Sequence, residues 1–525
     1  MLAGVIEHFL DNVTEREFAV PFMALLRARR FTEVHYLHGQ YEFGKDFVGQ
    51  ASDGDQRTQY VFQSKAGDLN LADWGKGRPQ LDILRTNTLA HPGFDPTLRR
   101  RAVLVMTGRL VGAAALEAQN YQQQVAASGS SLEVWDREAL VASILDAFEI
   151  GVAGRTDGPL FALIGSIDEG SATDAALERF SRRWIAGGAS PWAAILEAAV
   201  VSERVTSRDR LDQACNVALG VIRAAWARGH GARPPAPALQ EMANLGRLLF
   251  RTYASSLWSR GAPSLPDAET LVRDHDEPAG YVTYPVRCIK YVEAISLLGL
   301  SPELSGAEAI PSATEIPRHV AECVRNHPGC AHPVSDRWAV SIVPIALTFA
   351  QLGEIGLLGE YLLAITKWLA DRYDKGHRGL ANPTAEPLEE VEYLLANAFP
   401  AAERRVRRSE SYIATVVLDV AALFDLRDVY RTARNEFLAV GALPCVLESR
   451  DDESQYRIDD PSLSFEPNAP YADERPDDLT AVAPHYPRQL PRRYLQEISR
   501  SWDHLAVSAF LRDRHFLSAI TDLKA

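Results

Sequence analysis

The chain has 525 residues, of which 46% are hydrophobic and 24% charged, a balance that excludes fibrous and disordered classes and suits a protein folding around apolar cores. Its formal net charge of −14, from 55 Lys and Arg against 69 Asp and Glu, argues against tight nucleic-acid binding by bulk electrostatics alone. Five cysteines, an odd number in so long a chain, argue against a disulfide framework and for reducing conditions.

The first residues, Met1 to His8, lack a basic flank ahead of an apolar run. No secretory leader is expected, and the cytoplasm is the expected compartment. Residues 14 to 30 carry an amphipathic helix pattern, with Phe18, Phe22, Leu25 and Leu26 on one face and Arg27, Arg29 and Arg30 late. A strand-like Phe31 to Tyr36 follows.

The next stretch carries the chemistry. Gly39-Gln40-Tyr41-Glu42-Phe43-Gly44-Lys45-Asp46-Phe47-Val48, a polar spacer, and Tyr60-Val61-Phe62-Gln63-Ser64-Lys65 read as a hairpin of β-forming residues around Gly, Ser, Asp and Gln. Pairing the two strands brings Asp46 close to Gln63. Side chains alternate across a strand, so Gln63 and Lys65 share one face while Ser64 points to the other. A carboxylate, an amide oxygen and an ammonium then meet. Mg²⁺ prefers hard oxygen ligands, keeps several waters and takes only one or two protein carboxylates. Asp46, the Gln63 carbonyl and a backbone carbonyl near Ser64 would suffice, with Mn²⁺ as an alternative ion. Lys65 would orient or help deprotonate the attacking water and neutralise charge developing on a phosphate. Taken as an isolated triplet, the competing reading is the solvated face of an edge strand. Glu42, four residues before Asp46, could fold back to the metal as an accessory carboxylate or lie on the surface.

Gly39-x4-Gly44-Lys45 also imitates a P-loop, but Asp46 stands where a Ser or Thr should bind Mg²⁺, and Phe47-Val48 suggests a strand where a P-loop opens a helix. No nucleotide cofactor is expected there.

Beyond the hairpin, a polar helical stretch is expected near Gln80 to Leu84, a buried strand at Arg101 to Thr107 and a helix from Ala113 to Ala127. Leu132 to Trp135 reads as another strand, with Asp136 capping a helix from Arg137. The segment from about residue 10 to 148 resembles the Mrr-type restriction endonuclease domain of the PD-(D/E)XK nuclease superfamily. Its matching residues are Gly44-Lys45-Asp46 entering a strand, Gln63-Ser64-Lys65, Met106-Thr107-Gly108 before a helix, and Val134 to Leu140. The resemblance implies a mixed sheet flanked by helices, Mg²⁺ and hydrolysis of DNA phosphodiesters. It matches Asp46 to the motif aspartate, Gln63 to the variable acid and Lys65 to the motif lysine. Gln63 departs from the commoner Glu or Asp, an uncharged and therefore weaker ligand, which the Mrr branch also uses. Members often place a Glu in the first helix facing the site, and Glu17, with Glu15 behind it, is the candidate here.

Residues 1–150 hold 15 Lys and Arg against 19 Asp and Glu, so DNA contacts must come from local clusters. Arg78, Arg85, Arg99, Arg100 and Arg101, with Lys76, are the candidates for phosphates of double-stranded DNA. An acidic domain also implies weak intrinsic affinity, and hence a homo-oligomer, a partner or an activating signal. By analogy with fused Mrr-like domains, a regulated effector of restriction or anti-phage defence is expected.

From about residue 170 the sequence turns Ala-, Leu-, Arg- and Glu-rich with apolar residues at three and four spacing, an all-α region. Trp338 to Leu369 is the longest apolar stretch, but Pro344, Gln351, Glu354 and Glu360 leave no run of about 18 to 20 residues for a membrane span. Two core helices are expected instead. Cys323, His327, Cys330 and His332 invite a zinc reading, yet their spacing fits no common pattern and Asn326 to Gly329 is turn chemistry. Asp451 to Pro491 is acidic and Pro-rich, a surface loop or linker.

The expected architecture is thus an α/β nuclease domain over 1–152 and a helical domain over 153–445. A linker over 446–491 and a helical segment over 492–525 complete it. The rival readings are a non-cleaving DNA-binding scaffold and a ribonuclease.

Overall fold

A computed structural model of the chain describes residues 2–37, 46–53, 56–88, 91, 93–147, 158–185, 190–229, 237–261, 280–301, 315–374, 378–381, 387–395, 408–448 and 464–467. These divide into two compact units, Met1–Ser171 with Gly187–Arg208, and Ala172–Ala186 with Asp209–Ala525. The first unit therefore runs past residue 152 to take in two more helices, α6 (Gly158–Asp168) and α8 (Pro191–Ser207).

The first unit is built on one five-stranded mixed sheet in the order β1-β2-β3-β4-β5. Helix α1 (Leu2–Asn12) opens the chain, and α2 (Glu15–Ala28) follows. Strand β1 (Thr32–Tyr36) pairs antiparallel with β2 (Phe47–Asp53), and β2 antiparallel with β3 (Gln56–Lys65) in the register Phe47↔Phe62. Helix α3 (Leu71–Thr86) crosses to β4 (Arg99–Met106), parallel to β3 with Lys65↔Met106. Helix α4 (Ala113–Ala127) crosses to the parallel β5 (Leu132–Trp135), and α5 (Arg137–Ala147) closes the unit's first part. Asp136 caps α5 by accepting the Ala139 N–H at 3.1 Å, as its sequence position suggests.

Strand alternation gives the sheet two different faces. On one, Phe22 of α2 meets Phe47 edge-on at 5.0 Å and Phe62 at 5.4 Å, with Phe31 on Tyr60 at 4.9 Å. On the other, Val48, Val61, Ala102, Leu104 and Met106 pack with Leu81 and Leu84 of α3 and with Tyr121 and Val125 of α4. Such burial, at about 25 cal/mol per Å² of apolar surface, is the main force holding the helices to the sheet.

Two close approaches tie the ends of β3 and β4 together. Thr107, fully buried, donates its N–H to the Lys65 carbonyl at 3.1 Å and accepts the Gly67 N–H on Oγ1 at 2.8 Å. A Cβ at Gly108 would lie 2.3 Å from the Gly67 carbonyl carbon and 2.4 Å from the Asp68 nitrogen, so only glycine fits.

The second unit is mostly helical. The apolar stretch after Trp338 is two helices, Ala339–Leu352 and Ile355–Tyr373, separated by Gly353 at φ 76°. Among the described residues no helix is long and apolar enough to cross a membrane. A buried ion cluster links α7 (Asp174–Arg182), α9 (Leu211–Gly229) and the helix Gly280–Leu300. In it Lys290 pairs with Asp174 and, at 2.7 Å, with Asp212.

The region is not purely helical, contrary to its periodicity. Strand β6 (Glu410–Ser411) pairs parallel with β7 (Leu443–Glu448), and β7 antiparallel with β8 (Ser464–Pro467). Part of the expected acidic linker is therefore a strand, because pairing with β7 supplies backbone bonds that composition cannot reveal. The rest of 449–525, including the expected final helix over 492–525, lies outside the described residues.

Candidate active site

Asp46 enters β2 held by its backbone on both sides. Leu37 donates its N–H to the Asp46 carbonyl at 2.8 Å, and Asp46 donates its own to the Phe62 carbonyl at 2.9 Å. Its carboxylate turns to β3, where Oδ2 accepts the Ser64 N–H at 2.6 Å, a short charge-assisted bond. With Phe47 opposite Phe62, Asp46 comes level with Gln63 at the end of the hairpin. The predicted pairing of Asp46 with Gln63 is thus met by the register.

Gln63 is 3% exposed, and its two amide ends differ. Nε2 donates to Oε1 of Gln80 on α3, while Gln63 Oε1 is buried with no hydrogen-bond partner among the described residues. An orphaned buried acceptor costs about 1–3 kcal/mol, so this oxygen has the capacity to take a donor or a cation. An amide oxygen and a carboxylate are the hard-oxygen set that a divalent ion such as Mg²⁺ accepts, and these residues fit one.

Lys65, at the last position of β3, places Nζ 3.7 Å from Glu15 Oε1 in the first turn of α2. Both groups are partly solvated, so the contact orients more than it stabilises. Glu17 is engaged elsewhere, closing a capping box with Thr14 whose Oγ1 accepts the Glu17 N–H at 3.3 Å and donates to Glu17 Oε2 at 2.9 Å. Of the two carboxylates in this turn, Glu15 is the one beside the lysine. Glu42 lies outside the described residues, as does 39–45 of the P-loop-like sequence. The strand after Asp46 stands where a P-loop requires a helix.

The expected phosphate contacts are placed differently from one another. Arg100 donates to the Arg85 and Asn87 carbonyls at 2.7 and 2.9 Å and lies over the Phe94 ring, and burial lowers its pKa. Arg101 bonds Glu133 at 3.0 Å, and Arg85 bonds Asp82 at 3.1 Å. These three are ties within the protein. The parallel register sets Arg99 to Arg101 opposite Thr58 to Tyr60, while Lys65 is opposite Met106. Five to seven residues at about 3.3 Å each separate them from the site, on the order of 20 Å. Arg99 is exposed at that far end, and Lys76 pairs with Asp73 at 3.3 Å. Arg78 is exposed on α3, two residues from Gln80, with its guanidinium 5.0 Å from the Tyr121 ring centroid.

The Cys and His group of the second unit is core. Cys323 and Cys330 are buried, burial pushes the Cys323 thiol up to about 12, and His332 stacks on Trp368 at 4.4 Å. Among the described residues no three His, Cys, Asp or Glu side chains are placed to hold a metal, and the Asp46 set differs in relying on an amide.

Gln80 is the neighbour that sequence reading did not place, and Glu15 the one it set behind Glu17. Gln80 sits on an exposed polar helix surface, where nothing in the periodicity marks it. Comparison of the chain with protein-family models, with curated proteins and with solved structures returned no match.

Proposed function

We propose that the first unit is a metal-dependent nuclease domain of restriction-endonuclease-like fold that hydrolyses phosphodiester bonds of DNA. The observation that carries this is the buried, unpartnered Gln63 oxygen beside the anchored Asp46 carboxylate, with the Lys65 ammonium two residues along the same strand. Asp46 and Gln63 would hold Mg²⁺ or Mn²⁺, and the ion would supply Lewis acidity toward the phosphate and a more acidic bound water. Lys65 would orient the attacking water and meet charge developing on the phosphate, with Glu15 beside the ammonium. The sheet and α2 keep these groups rigid, which is what positioning chemistry demands.

The acidic balance favours a domain whose cutting is licensed by the helical unit through oligomerisation, a partner or an activating signal, as in restriction or anti-phage defence. Competition between labelled DNA and RNA duplexes in Mn²⁺, with a chelator control, tests the substrate class. DNA scission abolished by chelator is expected. Preferential RNA scission would make the protein a ribonuclease, and binding without scission would make it a scaffold.

A further inference from the structure

Gln63 poses a chemical problem that its own strand cannot solve. A primary amide has one acceptor end and one donor end, and a divalent cation takes only the oxygen. Beside a carboxylate such as Asp46, an isolated amide gains most by turning its N–H₂ toward the negative charge, which would close the site with an amide–carboxylate bond. Gln63 does not close the site in that way. Its Nε2 donates to Gln80 Oε1 on α3, and its Oε1 is left buried and unpartnered. A neighbouring helix thus engages the donor end.

We propose that Gln80 is the positioning residue that turns the Gln63 carbonyl oxygen toward the metal. Gln80 does not touch the reacting atoms itself. It acts through Gln63, as outer partners of metal ligands do, where their loss lowers metal affinity by roughly ten- to hundredfold. The need arises only because position 63 carries an amide. A carboxylate there presents oxygen whichever way it turns, so it would require no such partner. This inference rests on the metal-site reading above and adds the residue that makes a glutamine serviceable as a ligand.

A double-mutant cycle on the full-length protein tests it, with Mn²⁺ binding followed by titration calorimetry rather than by cleavage. Gln80→Met, a good helix former on an exposed surface, removes the acceptor without a cost to the helix. It should weaken Mn²⁺ binding by about tenfold or more when position 63 is native, and by less than about twofold in a Gln63→Glu background. Gln80→Glu keeps an acceptor for the Gln63 N–H and should bind Mn²⁺ at least as tightly as the native chain. An unchanged affinity in Gln80→Met, or an equal loss in both backgrounds, overturns the positioning role while leaving the metal site intact. Asp46→Asn is the separate control. If the native chain shows no Mn²⁺ uptake that Asp46→Asn abolishes, the metal site itself is refuted and the role of Gln80 falls with it.

Discussion

Ser64 donates its backbone N–H to the Asp46 carboxylate at 2.6 Å, so the third strand anchors the acid that the second strand delivers. The bond joins the two halves of the hairpin at the point where its chemistry is set. Asp46→Asn retains an oxygen for that N–H, so the unfolding midpoint should move by only a few degrees, the equivalent of about 1 kcal/mol. Scission should fall by roughly a hundredfold or more, because the substitution removes the carboxylate charge and leaves two uncharged amides to hold the ion. Thermal unfolding and cleavage rates on the same preparation check both halves.

Glu15 and Glu17 should separate cleanly. Glu17→Ala removes the side chain that returns to the Thr14 N–H and hydroxyl, and should cost about 1 kcal/mol of stability with scission unchanged. Glu15→Gln loses only a partly solvated contact, worth roughly 0–1 kcal/mol, but releases Lys65 and should slow scission severalfold. Melting curves beside single-turnover rates distinguish the two.

Arginines of the first unit should divide by their partners. Arg100→Ala and Arg101→Ala break bonds to the Arg85 and Asn87 carbonyls and to Glu133, so they should lower the unfolding midpoint and leave the salt dependence of DNA binding unchanged. Arg78→Ala, near Gln80 and exposed, should reduce the slope of log affinity against log salt by about one. Binding titrations at several salt concentrations give the slopes.

The buried cluster of the helical unit should make its stability depend on pH. Burial alone would raise Asp174 and Asp212, but the Lys290 ammonium outweighs it and holds both below the usual carboxylate range. Burial alone would lower Lys290, but the two carboxylates outweigh it and hold its pKa above the usual value. The carboxylates therefore stabilise the fold above their unfolded pKa of about 3.9, and the contribution is lost as pH falls through the lowered native values. Lys290 contributes fully below its unfolded pKa of about 10.4 and loses that contribution as pH rises through the raised native value. Lys290→Met removes the ammonium between two buried carboxylates, leaving Arg210 at 3.5 Å from Asp212 as a weaker counter-charge, and should cost up to about 3–5 kcal/mol at neutral pH. Calorimetric scans at pH 7 and near pH 4 should show part of the loss recovered at the lower pH, where those carboxylates can protonate.

Much of the first unit was legible because its signals are local. Phe47-Val48 and Tyr60 to Phe62 pair as β-formers around turn residues, and Ala113–Ala127 and Leu132–Trp135 appear where periodicity set them. Asp46 and Gln63 followed from that pairing. What stayed hidden depends on register and on neighbours far along the chain. Arg99 to Arg101 looked close to the site in sequence, but a parallel strand carries them to the sheet's far end. Gln80 reaches Gln63 across a crossover that no periodicity encodes. Glu17 is a different case, since Thr14-x-x-Glu17 is itself a capping-box signature, and that local role holds its carboxylate at the helix end. Ser464–Pro467 became a strand within an acidic, Pro-rich stretch because its partner β7 supplied the ladder.

Strand scission itself tests the central claim most directly. Native protein, Asp46→Ala, Lys65→Ala and Glu17→Ala, each incubated with supercoiled plasmid in Mn²⁺, should give nicking by the native chain and Glu17→Ala. Loss of roughly a hundredfold or more is expected in the other two. Equal nicking by all four, or none by the native chain, would contradict a metal-dependent nuclease site built on Asp46, Gln63 and Lys65.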